Sequence, residues 1–492
     1  MTVDYYVACD LGAESGRVLL GTLEDRRLSL EEIHRFPNRP VAVANSLRWD
    51  VLGIFEELKA GLGKVAARGL PVKGVSCDSW GVDYVLMHAN EPMLTAPYHY
   101  RDARTEGALE RAFERVPAER IFAETGIQFM PINTLYQLHA DLQQRPAILS
   151  AVDRFLNMGD YFNFLLCGVA RAEESLASTT QLYNPFKRKW STLLIKKFNL
   201  PARIFPDIVA SGTLLGPLLP AIAVETGLAE VQVVAGCSHD TAAAVAAVPA
   251  QGESWAYLSS GTWSLLGIEI SRPIVNARSR QYNFTNEVGY GGSIRFLKNI
   301  VGLWIVQECR RAWAREGRQY SYEELTALAQ EAEPLVSFID PQEDRFVKPD
   351  GMPEKIVEYC RATGQPVPRT VGAVVRCALE SLALCYRRML ERLEKAAGKE
   401  LATLHIVGGG SRNQLLNQFT ADATRRPVLA GPSECTGIGN VLVQALALGR
   451  LPSLDAARQL VRESFPVVRC EPGKSTAWEK AYKRFRELLK SG

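Results

Sequence analysis

The sequence predicts an α/β protein made of two duplicated halves, and three stretches carry that prediction. Residues 7–20, ValAlaCysAspLeuGlyAlaGluSerGlyArgValLeuLeu, read as a strand, a small-residue turn and a second strand. Residues 255–269, TrpAlaTyrLeuSerSerGlyThrTrpSerLeuLeuGlyIleGlu, repeat that order and can be laid over the first stretch, which points to internal duplication. Near the midpoint, Val231 to Val234 is an apolar, β-branched run, Gly236 breaks it, and Thr241 to Val248 is Ala-rich and helical. Two lobes that each open on a phosphate-type hairpin would face each other across a cleft.

Length and composition agree with this division. A chain of 492 residues exceeds what one hydrophobic core usually supports, and 47% hydrophobic with 23% charged residues describes an ordinary globular protein. A net charge of +3 is too small to argue for nucleic acid or an anionic membrane. The first residues carry no basic and apolar leader pattern, and no run of 18 uncharged apolar residues occurs, so the expected location is the cytoplasm. The ten cysteines include no Cys-x-x-Cys pair and the six histidines no His-x-x-x-His, so a structural zinc site is not expected.

Taken in order, each element contributes a piece of chemistry. The turn from Gly12 to Gly16 offers backbone NH groups that can hold phosphate, and Asp10 at the strand end can reach Mg²⁺ through its water shell; a plain Gly-rich hairpin is the alternative. Residues 28–36 predict a third strand, Ile54 to Ala67 a helix, and Val72 to Cys77 a buried strand. That strand delivers AspSerTrpGlyValAspTyr, residues 78–84, to a strand end, where open α/β sheets place their ligands. Residues 100–104 form a polar knot, and the segment from Arg111 to Asn184 reads as helical. The central junction presents Ser238, His239 and Asp240, with Asp240 either a helix cap or a catalytic carboxylate.

In the second half, Phe296 to Trp313 reads as one amphipathic helix carrying Asn299 and Gln307, and Val371 to Ala396 is the longest helical pattern. Leu404 to Val407 is a short strand running into GlyGlyGlySerArgAsn at 408–413, and Leu415 to Thr424 is again helical. The three glycines let a ring or phosphate approach the backbone, but the third spaced glycine of the dinucleotide fingerprint is missing, which removes a dehydrogenase reading.

Together these stretches resemble the FGGY family of carbohydrate kinases over essentially the entire chain. The residues that carry the likeness include AspLeuGlyAlaGluSerGlyArg at 10–17, AspSerTrpGlyValAsp at 78–83, HisAspThrAla at 239–242, TyrLeuSerSerGlyThrTrpSerLeu at 257–265 and IleValGlyGlyGlySerArgAsn at 406–413. Within the family the motifs are most similar to the subgroup acting on L-rhamnulose, with L-fuculose and other ketoses as alternatives. The resemblance implies two ribonuclease H-like, actin-like ATPase domains around a central cleft, residues 1–247 holding the sugar and the base and residues 248–492 the nucleotide. It implies ATP and Mg²⁺ as cofactors, and a small ketose as partner. No nucleic acid or membrane is implied, and the expected assembly is a monomer. Position by position, Ala13, Glu14, Ser15, Gly16, Arg17, Thr262, Gln307 and Gly410 would bind ATP. Gly81, His239, Asp240, Thr241 and Asn299 would line the sugar, Asp240 would accept the proton, and Asp10 would serve the metal. Glu14 departs from the subgroup, which often has a small residue there. The subgroup also allows a disulfide between Cys360 and Cys377.

Overall fold

The computed structural model describes residues 3–89, 91–474 and 476–491. The chain divides into two compact units. One gathers Met1–Pro249, Glu269–Phe296 and Cys435–Ser464, the other Ala250–Ile268, Leu297–Glu434 and Phe465–Gly492.

The first unit is built on a six-stranded sheet in the order Thr213–Pro217, Gln232–Ala235, Val72–Ser79, Val3–Leu11, Ser15–Glu24 and Arg27–Pro37. The second, third and fourth strands in this order run parallel, and the remaining neighbours pair antiparallel. Alternation along Ser15–Glu24 sends successive side chains to opposite faces. Val18 and Leu20 join the core that holds Ile54, Leu58 and Leu62 of the helix Val51–Ala66. Leu19 and Gly21 face the other way, towards the helix Cys435–Ala447; a Cβ added at Gly437 would lie 2.3 Å from Leu19, and one added at Gly21 2.6 Å from Val441. Each fully buried aliphatic side chain in these two layers contributes about 1.5–3 kcal/mol. A further core, around Tyr84, Leu135, Phe155 and Phe198, sits among the helices that follow.

The second unit repeats the hairpin arrangement. Trp255–Ser260 pairs antiparallel with Trp263–Ile270 and parallel with Thr403–Val407, as Val3–Leu11 pairs antiparallel with Ser15–Glu24 and parallel with Val72–Ser79. Val428–Ala430 and Val468–Cys470 extend the sheet. The 27-residue helix Val371–Ala397 is the longest element and packs against Tyr322–Glu331 and Gln414–Thr424. Cys360 and Cys377 are free thiols, the Cys377 thiol hydrogen-bonded to Cys360.

Two element assignments from sequence need correction. Phe296 to Trp313 is not one helix: Ile294–Val301 is a strand, Gly302 follows, and the helix is Trp304–Arg315. Six of the eight residues in that strand are buried, so it shows no polar alternation and resembles a helix face. The segment from Arg111 to Asn184 is interrupted by the strand Arg154–Asn157, which pairs antiparallel with Tyr84–Met87.

Glycine substitutions separate close packing from backbone entropy. Ala in place of Gly inside a helix normally stabilises by up to about 1 kcal/mol. At Gly439 the added Cβ would lie 1.8 Å from the Ala243 carbonyl oxygen, where two helices touch, whereas at Gly63 the nearest atom is 3.9 Å away. Thermal unfolding should therefore show Gly439→Ala destabilised by roughly 1–3 kcal/mol and Gly63→Ala unchanged or stabilised. Equal stabilisation by both would refute the tight helix contact.

Candidate active site

The parallel strands at the centre of the first unit end side by side, and together they bring three carboxylates to one edge. Asp10 on Val3–Leu11 is in register with Asp78 on Val72–Ser79. The Ser79 amide donates to the Ser238 carbonyl at 2.8 Å and Ser79 bridges to His239, which carries the following Asp240 to the same edge. This is the carboxyl end of the parallel strands, the place where such sheets bind ligands.

The charge of Asp10 raises the proton affinity of the other two acids. Asp78 is fully buried; burial first and the charge of Asp10 second hold its carboxyl well above the usual range, against a 2.6 Å hydrogen bond from Asn440 Nδ2. Asp240 is pushed up to about 7, again by burial and then by Asp10. Across the hairpin, Arg17 forms a salt bridge with Asp10. Among the described residues no three His, Cys, Asp or Glu side chains form a metal cage. The edge nonetheless suits a hard cation that keeps most of its water and takes phosphate oxygens, because carboxylates outnumber the guanidinium and Asp78 Oδ1 has no hydrogen-bond partner.

The sequence left Asp240 open between cap and base. The residue capping Asp240–Ala246 is His239, and Asp240 is the first helical residue. Its Oδ1 accepts from the adjacent Thr241 amide at 2.5 Å and from Thr241 Oγ1 at 3.1 Å, and its side chain stays 29% exposed. The turn is held from behind by Glu173, a buried carboxylate raised to about 7 by burial, which accepts from the Ser238 amide at 3.1 Å and from the hydroxyls of Ser175 and Ser211. Ser175 Oγ in turn accepts from the His239 amide at 3.1 Å.

The 78–84 stretch is fixed by a second buried carboxylate. Asp83 Oδ2 accepts from Trp49 Nε1 at 2.6 Å, Trp80 Nε1 at 3.1 Å and the Tyr100 amide at 3.1 Å, while Oδ1 accepts from Gln137 Nε2 at 2.9 Å. Burial still pushes it up to about 6. Trp80 is thereby turned inward and lies tilted by 37° against Trp49, and Gly81 stands against Thr179, whose Oγ1 a Cβ would approach to 3.1 Å.

At the hairpin tip, Gly12 N donates to Ser15 O, and Asn38 pins the turn twice, its amide donating to Glu14 O and its Nδ2 to Gly12 O. Ala13 and Glu14 form the turn, Glu14 exposed, and Ser15, Gly16 and Arg17 open the next strand. Gly16 is required by space, since a Cβ would fall 2.2 Å from the Phe36 ring. In the second unit, the Thr262 carbonyl accepts from the amides of Gly302 and Trp304, tying the hairpin tip to the helix that carries Gln307 one turn later. Gly408 and Gly410 lie against Ser260, at the end of the same hairpin strand. Asn299 sits on the strand leading into Gly302, not on the helix with Gln307. Thr241, His239, Asp240, Gly81 and Asp10 thus share the first unit, and Thr262, Gln307, Gly410 and Asn299 the second.

Residues 5–247 match the N-terminal domain, and residues 256–448 the C-terminal domain, of the FGGY family of carbohydrate kinases. The chain belongs to this family. Among curated members, it is 43% identical over 485 residues to a protein of Bacteroides thetaiotaomicron named rhamnulokinase, covering 99% of each chain. A rhamnulokinase of Enterococcus faecalis is 41% identical, covering 94% of this chain and 93% of that one. Solved kinase structures share the fold at low identity. A gluconate kinase of Lactobacillus acidophilus superposes with a TM-score of 0.82 at 14% identity, covering 100% of this chain and 98% of that one. A Plasmodium falciparum glycerol kinase with ADP gives 0.79 at 15%, with 99% and 97% covered. No helix among the described residues is long and apolar enough to cross a membrane.

Glu173 and Asn440 were not legible in the sequence as parts of this site, because each lies tens to hundreds of residues from the motif it supports. Asp240 yields a test. Its folded value near 7 lies above the ordinary value of 3.8, so the stability it contributes is present below about pH 4 and is lost as pH rises through 7. Asn cannot ionise. Metal-free Asp240→Asn should therefore exceed wild type in unfolding free energy by roughly 2–4 kcal/mol at pH 8, with the gain shrinking towards pH 4, while turnover falls about a hundred- to ten-thousand-fold. A variant with wild-type turnover would make Asp240 a structural residue only.

Proposed function

We propose that this chain transfers the γ-phosphoryl group of ATP to O1 of L-rhamnulose in the cytoplasm, giving L-rhamnulose 1-phosphate and ADP. The observation that carries this reading is the full-length similarity, near 40% identity, to proteins named rhamnulokinase. Asp240 accepts the proton of the O1 hydroxyl as the new O–P bond forms and the bond to the ADP oxygen breaks, and its raised proton affinity suits a base working near neutrality. Gly81, His239, Thr241 and Asn299 contact the sugar. Backbone NH groups from Ala13, Glu14, Ser15 and Gly16, the Arg17 side chain, and Thr262, Gln307 and Gly410 hold the nucleotide. Asp10 would hold Mg²⁺, which would supply charge neutralisation on the phosphates when bound. Trp80, which a sugar methyl group could otherwise have met, is committed to Asp83 and Trp49.

A sugar of wrong stereochemistry leaves a buried polar group of the site unpaired, at about 1–3 kcal/mol. Coupled ADP release measured over L-rhamnulose, L-fuculose, L-ribulose, D-xylulose and glycerol should therefore favour L-rhamnulose by roughly ten- to a hundred-fold in kcat/KM. A preference for any of the other four, or ADP release independent of sugar, contradicts the assignment.

A further inference from the structure

Behind His239 lies a buried ion pair that the phosphoryl-transfer reading does not use. Arg295 is 0% exposed, and its Nη2 donates to His239 Nδ1 at 3.0 Å and stands 3.2 Å from Glu287 Oε2. Its Nε donates to the Val288 carbonyl at 3.2 Å. Glu287 Oε2 is itself 3.5 Å from His239 Nδ1, and on the opposite edge of the ring His239 Nε2 is 3.4 Å from Asp240 Oδ1. All four side chains belong to the first unit.

A guanidinium has donors only and stays protonated throughout the working range of a protein. The nitrogen that receives it must offer a lone pair, so Nδ1 is unprotonated and the proton of the neutral ring is on Nε2. We propose that Arg295 is a positioning residue that fixes His239 as a neutral Nε2–H donor, directed to the edge that carries Asp240. This rests on the reading that His239 and Asp240 line the sugar site. The ring is then a donor that an acceptor oxygen of the sugar must meet, and it does not compete with Asp240 for the proton of the attacking hydroxyl.

The electrostatics agree with the geometry. Burial, and then the Arg295 charge, hold the imidazole well below its ordinary value. The charged groups facing the ring are Arg295 and Glu287 from the strands of the 285–295 segment and Asp240 from its own helix, with Asp10 beyond Asp240. From the 173–175 segment, Ser175 accepts from the His239 amide and Glu173 lies behind it. Without the guanidinium the ring would sit between two carboxylates, which favours imidazolium.

The test uses the full chain labelled with ¹⁵N-histidine, the His239 signals being assigned by their loss in His239→Gln. Long-range ¹H–¹⁵N spectra of wild type between about pH 5 and 9 should show a neutral ring with the proton on Nε2 and no titration. In Arg295→Met, His239 should titrate within that range, and kcat/KM for the ketose should fall roughly ten- to a hundred-fold with cooperative unfolding retained. Arg295→Lys, which keeps a charged donor, should restore the wild-type ring state in part, and Glu287→Gln should leave it unchanged. A proton on Nδ1 in wild type, a titrating wild-type ring, or an unchanged ring in folded Arg295→Met overturns the proposal. If Arg295→Met does not fold, the wild-type and Arg295→Lys spectra decide it. The ring state is read without substrate, so an enzyme inactive on every ketose would refute the functional reading and leave this measurement to decide separately.

Discussion

Like charges held close together and away from water are the constraint on which the first unit depends. Parallel pairing puts Asp10 beside Asp78, and the Ser79–Ser238 hydrogen bond carries Asp240 to the same edge. Burial first, and the charge of Asp10 second, make Asp78 and Asp240 harder to ionise. Such a cluster weakens the free protein. It becomes favourable only when positive charge arrives, which under the proposed function the cation accompanying the nucleotide would supply. The arrangement therefore ties proton affinity, cation binding and catalysis to one set of backbone hydrogen bonds.

Much of the surrounding structure serves to hold that edge still. The helix Cys435–Ala447 reaches it with two amides: Asn440 donates to Asp78 Oδ2 and to the Ser76 carbonyl, and Gln444 donates to the Val7 carbonyl. It comes close enough because Gly437 and Gly439 lack side chains. Asp83 and Glu173 act as buried acceptors that gather indole, hydroxyl and amide donors from separate segments. A half-satisfied group of this kind costs more than an apolar one, so these contacts also select a single arrangement of the turns.

The hairpins were readable because a small-residue turn between two apolar runs has few other solutions, and the structure gives both the same antiparallel and parallel partners. The strand Ile294–Val301 was not readable, since burial on both faces erased the period of two. Asp240 was visible as an acid at a strand-to-helix junction, yet its place near Asp10 comes only from the strand register and the Ser79–Ser238 hydrogen bond. Arg295 and Glu287 gave no signal at all. Their meaning comes from contacts with His239 some fifty residues away, which local pattern and propensity do not encode.

Asp240, pushed up to about 7, is about half protonated in the free protein at pH 7, and the account requires it to give up that proton when the nucleotide complex and sugar bind. Calorimetric titration with a preformed magnesium complex of a non-hydrolysable ATP analogue plus sugar, repeated at pH 7 in buffers of different ionisation heat, reads that proton directly. The account predicts release of about half a proton per site, absent in Asp240→Asn, from a group titrating near 7. Binding heat that is independent of buffer in the wild type would contradict it.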